Sequence, residues 1–334
     1  MQYIIPEAWE GQLLRSFLQG ELHLSHRLLT RLKQTEGGMT LGGVPVTVRA
    51  ILHGGDMLTL AIEDTPSLNI LPSDLDLCVL YEDDSILVCN KSGDMPTHPS
   101  HGHYDDTLAN AVAAYDVRRA LPVRPFRPIN RLDRETSGIV LVARHALSAA
   151  RLSKAMHERR IQKEYLAVLE GRLPTERGDI TAPIRRAAKS IILRQVCNEG
   201  EEGAQRAHTE YRVLATWDDP NAPQGVRSLV QAVPHTGRTH QLRVHFAHMG
   251  APIAGDGLYG LCDCTCTPPR QMLHAATLTF PHPDTEKSLT LCAPLPNDMR
   301  AVLPLALEKA WDGDALCSPH KEDRYEAPYR PLTP

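Results

Sequence analysis

The stretch PINRLDRETSGIVLVARHA, residues 128–146, is the feature that most constrains the fold of this 334-residue chain. Its second half, GIVLVA, is a short apolar run of the kind that forms a buried strand. Its first half places a lone carboxylate, Asp133, between Arg131 and Arg134. A carboxylate used for chemistry must be held by a rigid element, and the end of a buried strand is such a place. Asp133 is therefore a candidate catalytic residue, and the alternative for this residue alone is a salt-bridged turn position.

Composition places the chain among ordinary globular proteins, with 42% hydrophobic and 23% charged residues. No apolar run approaches the roughly 18–20 residues needed to span a bilayer. The N-terminal sequence MQYIIPEAWEGQLL lacks the basic n-region of a signal peptide. These observations predict a cytoplasmic protein that does not enter a membrane, and its eight cysteines are then expected to be free thiols.

The charge of the chain is unevenly distributed. The net charge is −4, yet residues 118–164 contain twelve basic and four acidic residues. A basic stripe on an otherwise acidic protein is typical of polyanion binding. The alternative is a solvated helix face that balances acidic residues elsewhere.

Residues 1–65 are predicted to form a small separate module. Two short amphipathic helices are followed by glycine-joined strands, in LSHRLLTRLKQ and LGGVPVTVRAILHGGDMLTL. The second helix carries basic residues that include Arg31 and Lys33. This arrangement resembles the S-four-like RNA-binding domain, in which a helix pair and a small sheet present basic residues to structured RNA. We expect a linker over residues 66–75 and an acidic, proline-containing tail over residues 306–334.

Residues 76–305 combine strand-like runs, hairpins and interspersed helices. This pattern predicts an α+β fold, with a mixed, mostly antiparallel sheet flanked by helices and loops. The chain contains no glycine-rich phosphate loop of the dinucleotide-binding or Walker type.

Three motifs carry the chemistry of this larger region. They are NRLDRETSG around Asp133, KEYLA from Lys163, and GRTHQLRVH from Gly237 to His245, followed by GDGLYG and RQMLHAATLTFPHP. In this order and spacing they resemble the RluA/RluD-type pseudouridine synthases, which isomerise uridine in RNA. Asn130 stands where the family usually has histidine, a departure expected to affect RNA specificity more than activity.

The resemblance implies a catalytic set of Asp133, Tyr165 and Arg243. Asp133 is then the essential aspartate, Tyr165 lies against the target uracil and can take part in moving the proton at C5, and Arg243 pairs with the aspartate. It leaves open whether Asp133 acts on ribose or on uracil, as nucleophile or as base. It implies no cofactor, and we expect a monomer acting on structured RNA, with large-subunit ribosomal RNA as the first expectation and tRNA as the alternative. Residues predicted to contact RNA or the uracil are Arg131, Arg134, His98, Arg238, His240, Leu273, Arg31 and Lys33.

Two other function classes compete with this interpretation. One is an RNA-binding or ribosome-assembly factor on the same scaffold without activity, which would have no need of Asp133, Tyr165 and Arg243. The other is a metal-dependent hydrolase. Its ligands would be drawn from His235, His240, His245 and His248, or from Cys262, Cys264 and Cys266. The histidine spacing suits no single face of a strand, HExxH is absent and no fourth ligand accompanies the cysteines, so we predict no metal.

Overall fold

The computed structural model describes residues 2–24, 26–62, 70–188, 190–261, 268–305 and 307. Residues 2–62 contain two helices and a four-stranded antiparallel sheet in the order β1-β4-β2-β3. The elements are β1 (Gln2–Ile4), α1 (Leu14–Gly20), α2 (His26–Gln34), β2 (Met39–Leu41), β3 (Val44–Pro45) and β4 (Met57–Leu60). Phe17, Leu29 and Leu58 lie in the core that these elements share. Both helices predicted for this region are present.

A nine-stranded sheet forms the centre of the remaining chain. Its strand order is β5-β6-β7-β14-β8-β13-β12-β9. The ninth strand, β15, lies outside this order and pairs with β14. The strands are β5 (Cys78–Glu82), β6 (Ile86–Lys91), β7 (Ser137–Ala143), β8 (Gln162–Glu170), β9 (Arg177–Ile180), β12 (Thr209–Asp218), β13 (Val226–Pro234), β14 (Leu273–Pro281) and β15 (Ser288–Cys292). A separate hairpin consists of β10 (Ile184–Arg186) and β11 (Arg194–Val196).

Helices α3 (Leu108–Arg118), α4 (Ala146–His157), α5 (Gln241–His248) and α6 (Asn297–Arg300) accompany this sheet. Helix α3 begins at Thr107, whose hydroxyl accepts a hydrogen bond from the backbone N–H of Asn110. Helix α4 connects the two regions, because Leu147 near its start is buried in the core of residues 2–62. Within the described ranges, no helix is long and apolar enough to cross a bilayer.

The pairing of β7 with β14 is parallel, whereas the other pairs in this sheet are antiparallel. Ser137 and Gly138 lie opposite His274 and Ala275. Gly138 has φ +112°, and a Cβ there would stand 2.2 Å from the carbonyl oxygen of Ala275. Only glycine satisfies both the backbone angle and this close approach. The start of β7, just after Asp133, is thereby fixed against β14.

The observed architecture confirms the predicted α+β fold with its mixed, mostly antiparallel sheet. The predicted hairpin around Asp83 is present as β5 and β6. Helix α5, which begins within the GRTHQLRVH motif, is not predicted by the sequence pattern. The expectation of free thiols holds for Cys78, Cys89 and Cys197 but is wrong for Cys292, which is disulfide-bonded.

Candidate active site

The loop before β7 holds Asp133 by its backbone on both sides. The Thr97 hydroxyl accepts a hydrogen bond from the N–H of Leu132 at 3.3 Å and donates one to the carbonyl oxygen of Leu132 at 2.9 Å. On the other side, Lys91 Nζ donates to the carbonyl oxygen of Arg134 at 2.9 Å. The Asp133 carbonyl accepts a hydrogen bond from the N–H of Thr136. These bonds fix the backbone while the carboxylate remains 31% exposed to the cleft.

Lys91 is a buried cation behind this loop. Its ammonium donates to three carbonyl oxygens, those of Ser92, Met95 and Arg134. Burial, followed by the positive charge of Arg270, lowers its pKa to about 7. The three acceptors match the three N–H donors of an ammonium group, so the lysine ties the segment after β6 to the loop that carries Asp133.

Arg243 connects Asp133 to a second, fully buried carboxylate. Its Nε and Nη2 each donate to one oxygen of Asp256 at 2.7 Å, and its Nη1 donates to Asp133 Oδ2 at 3.1 Å. Asp256 also accepts from the N–H groups of Leu258 and Tyr259. Burial works against the charge of Arg243, but the two carboxylates outweigh it and raise its pKa. Asp256 thus locks the arginine in place, and Nη1 donates to Asp133.

His240 lies beside Asp133 at the start of α5, in the left-handed region at φ 56°. Its Nε2 is 3.9 Å from Asp133 Oδ2, and its Nδ1 is 2.8 Å from the Tyr259 hydroxyl. That hydroxyl already accepts the Arg194 N–H at 2.9 Å, so its own proton is available for Nδ1. Burial lowers the pKa of His240, which favours the neutral ring. In this arrangement Nε2 carries the ring proton and faces Asp133.

Tyr165 and Leu273 form the apolar side of the same cleft. Tyr165 pairs with Ala275 of β14 and Ala232 of β13, so it projects from the middle of the sheet. Burial, followed by the nearby charge of Asp133, raises the pKa of its hydroxyl. The phenol is therefore protonated at neutral pH. Leu273, almost fully buried, lines the cleft with it.

The cleft has a volume of about 850 Å³ and combines this apolar side with many charged groups. Its cationic lining residues are Arg131, Arg159, Lys163, Arg238 and Arg243. Besides Asp133, two carboxylates line the cleft. Glu164 contacts Gln231, and Glu210 contacts His235. A cleft with one apolar wall and a cationic lining is suited to an unstacked base and its flanking phosphates.

The structure brings together most of the predicted site residues. Those that line the cleft are Asp133, Tyr165, Arg243, Arg131, Arg238, His240 and Leu273. His98 does not line it, because the loop after β6 places its ring against Phe126 at 5.3 Å. Arg134 likewise turns away from the cleft, toward His103. Arg31 and Lys33 lie on α2 in the N-terminal region.

Three residues that support the site had no predicted role: Lys91, Asp256 and Tyr259. The GDGLYG motif that contains the last two was visible in the sequence, but their contacts with Arg243 and His240 were not. No group of histidine, cysteine or carboxylate side chains suited to a metal occurs in the ranges that the structure describes. Cys262, Cys264 and Cys266 lie outside those ranges.

Comparison with known proteins identifies the family of this chain. Residues 85–248 match the model of the RNA pseudouridylate synthase family. The uncharacterized RNA pseudouridine synthase YjbO of Bacillus subtilis is 37% identical over 286 residues, which cover 85% of this chain and 96% of that protein. Ribosomal large subunit pseudouridine synthase D of Pseudomonas aeruginosa is 33% identical over 282 residues, covering 81% of this chain and 84% of that protein.

A solved structure gives the same result for the fold. Human RNA pseudouridylate synthase domain containing 1 superposes with a TM-score of 0.56 at 30% identity, over 71% of this chain and 94% of that chain. The predicted family and the observed sheet thus agree with the comparisons. This chain belongs to the RNA pseudouridylate synthase family and is an RNA pseudouridine synthase.

Proposed function

We propose that this enzyme converts uridine to pseudouridine in large-subunit ribosomal RNA, with Asp133 as its essential carboxylate. The observation that carries the proposal is the chain of contacts from Asp256 through Arg243 to Asp133 in a cleft with an apolar wall. The substrate class follows the printed name of the Pseudomonas aeruginosa relative, a ribosomal large subunit pseudouridine synthase.

The isomerisation breaks the bond from N1 of uracil to C1′ of ribose and forms a bond from C5 to C1′. The proton on C5 is released and N1 gains one, so the reaction needs no redox change and no external group. Arg243 occupies Asp133 Oδ2, and Oδ1 accepts no hydrogen bond from the described residues. This oxygen is available to act on the ribose or on the uracil, as nucleophile or as base.

Tyr165 and Leu273 hold the base in this proposal. The ring of Tyr165 offers a stacking surface next to Asp133, and Leu273 excludes water from the same wall. Because its pKa is raised, the Tyr165 hydroxyl serves as a hydrogen-bond donor at neutral pH rather than as a ready base.

The target nucleotide has to leave its stack to reach Asp133, at a cost of a few kcal/mol. Arg131 and Arg238 line the cleft and are placed to offset this cost through contacts with phosphates. Arg31 and Lys33 extend the contact surface, with residues 1–65 as the S-four-like RNA-binding domain and residues 76–305 as the catalytic domain. Residues 66–75 are the proposed linker and residues 306–334 the tail.

The test uses RNA with tritium at C5 of uridine, because the product is an isomer of equal mass. Unmodified ribosomal RNA and tRNA transcripts are incubated separately with the wild type and with Asp133→Asn. We expect tritium release from large-subunit ribosomal RNA with the wild type and none with the variant. Release from tRNA alone would replace the proposed substrate. Release by Asp133→Asn at the wild-type rate would remove Asp133 from the chemistry.

A further inference from the structure

Arg159 adopts a backbone conformation that normally belongs to glycine. It follows the last turn of α4 with φ 58°. The N–H of Arg160 bonds the carbonyl of Ala155 and the N–H of Arg159 bonds that of Met156, at 2.9 and 3.2 Å. These two bonds define a Schellman motif, whose left-handed position favours glycine and is strained for a residue with a Cβ.

The same motif closes α3, at a place far from the chemistry. There Ala120 has φ 56°, and the N–H groups of Ala120 and Leu121 bond the carbonyls of Val117 and Asp116. Ala120 does not line the cleft, whereas Arg159 does. The two helix ends share a strained backbone, but only Arg159 extends a long cation into the active-site cleft.

The Arg159 guanidinium is free to bind a ligand. Its neighbours are engaged in ion pairs, since Lys154 and Arg160 contact Glu158 at 3.6 and 3.0 Å. Arg159 itself is exposed, and its side chain has no hydrogen bond or ion pair with any residue that the structure describes. An unpaired cation held in a strained conformation at the rim of the cleft is suited to a phosphate.

The position of Arg159 sets which phosphate it can meet. Strand β8 runs from Gln162 at the rim to Tyr165 at the base of the cleft, three residues or roughly 10 Å apart. Arg159 comes three residues before Gln162, and its long side chain can reach back into the cleft. A cation at this rim, and not beside Tyr165, is placed for a backbone phosphate next to the target nucleotide and not for the target base itself.

Helix α4 also relates this rim to the N-terminal region. Leu147 is buried in the core of residues 2–62, and Met156 and His157 line the cleft. Ten residues of helix separate Leu147 from His157, which corresponds to about 15 Å. Helix α4 therefore links the core of residues 2–62 to the rim of the cleft, where Arg159 follows the end of the helix.

We infer that Arg159 is an RNA-positioning residue that binds a backbone phosphate next to the target nucleotide, in a conformation the protein keeps at the expense of stability. The inference rests on the proposed function, since it takes the RNA strand to enter the cleft toward Asp133. It predicts that binding and stability respond in opposite directions when Arg159 is replaced by glycine.

The experiment measures tritium release, RNA binding and thermal unfolding for Arg159→Ala, Arg159→Gly and Arg159→Lys. Loss of the charge in the first two variants should raise KM about five- to tenfold with kcat little changed. It should also lower the slope of log Kd against log salt by about 1. Arg159→Lys should keep most of the binding. Arg159→Gly should melt about 2 °C higher than Arg159→Ala, because glycine relieves the left-handed strain.

Ala120→Gly is the matched control. It relieves the same strain in α3, so its Tm should rise by a similar amount while KM and the salt slope stay at wild-type values. If Arg159→Ala and Arg159→Gly both keep KM within twofold and the full salt slope, the inference is wrong. If the wild type releases no tritium from any RNA, the proposed function fails, and the salt slope of binding alone decides the role of Arg159.

Discussion

The two carboxylates that share Arg243 should respond very differently to the same substitution. Asp256 is fully buried and receives two N–H groups of Arg243 as well as the N–H groups of Leu258 and Tyr259. Asp133 is 31% exposed and receives one N–H group of Arg243. Replacing either by asparagine keeps the shape of the side chain and removes its negative charge.

Asp256→Asn leaves the charge of Arg243, whose side chain is 6% exposed, without its main partner. Breaking a buried pair in this way costs about 3–5 kcal/mol, and the four donors around Asp256 place this variant within that range. Asp133→Asn removes one charged hydrogen bond at a partly exposed site and leaves the Arg243–Asp256 pair intact. Its cost should be about 1 kcal/mol.

Turnover should show the reverse order. Asp133→Asn should fold and bind RNA like the wild type and release no measurable tritium. Asp256→Asn should retain a low rate, reduced about 100-fold, because the Asp133 carboxylate is still present but less well positioned. Urea unfolding followed by circular dichroism gives the stabilities, and tritium release gives the rates. Equal losses of stability in the two variants would refute the assignment of Asp256 as the residue that locks Arg243.

Three further predictions follow from the structure. Burial lowers the pKa of His245 and of His274 to about 4, below their value of about 6.5 in an unfolded chain. The unfolded state therefore binds more protons between these values, and the free energy of unfolding should fall by on the order of 2 kcal/mol per histidine from pH 7 to pH 5. A flat urea-unfolding profile over this range would contradict the burial of neutral rings. Gly138→Ala should lower the free energy of unfolding by on the order of 3 kcal/mol and Tm by about 5 °C or more, because its Cβ would meet the Ala275 carbonyl oxygen at 2.2 Å. A Tm within about 1 °C of the wild type would show that β7 and β14 separate easily. Tyr259→Phe removes the hydroxyl that bonds His240 Nδ1. This variant should lower kcat severalfold and shift the acid limb of the pH profile of kcat, while Tm changes by less than 2 °C. An unchanged pH profile would mean that the ring orientation of His240 is unimportant.

Much of the fold was predictable from short-range patterns. The apolar run GIVLVA, the hairpin around Asp83 and the helices of residues 2–62 are local features, set by the period of their apolar residues. Helix α5 was not predictable in this way. Residues 241–246 are all buried, including Arg243 and His245, so the helix lacks the apolar stripe that a half-exposed helix displays.

The candidate site also has a part that was predictable from the sequence and a part that was not. The motifs pointed to Asp133, Tyr165 and Arg243 through their resemblance to the pseudouridine synthases. Arg134 lies in the loop of Asp133, and His98 lies in the loop after β6. A loop does not fix the direction of its side chains, and neither residue lines the cleft.

The sequence alone therefore determined which reactive groups this protein carries, because those groups lie in short contiguous motifs. Only the tertiary structure decided how they meet. Arg243 reaches Asp133 across 110 residues of chain, and the parallel pairing of β7 with β14 joins segments about as far apart. Such contacts depend on strand register and on the burial of the Arg243–Asp256 pair, and no local pattern in the sequence encodes either of these.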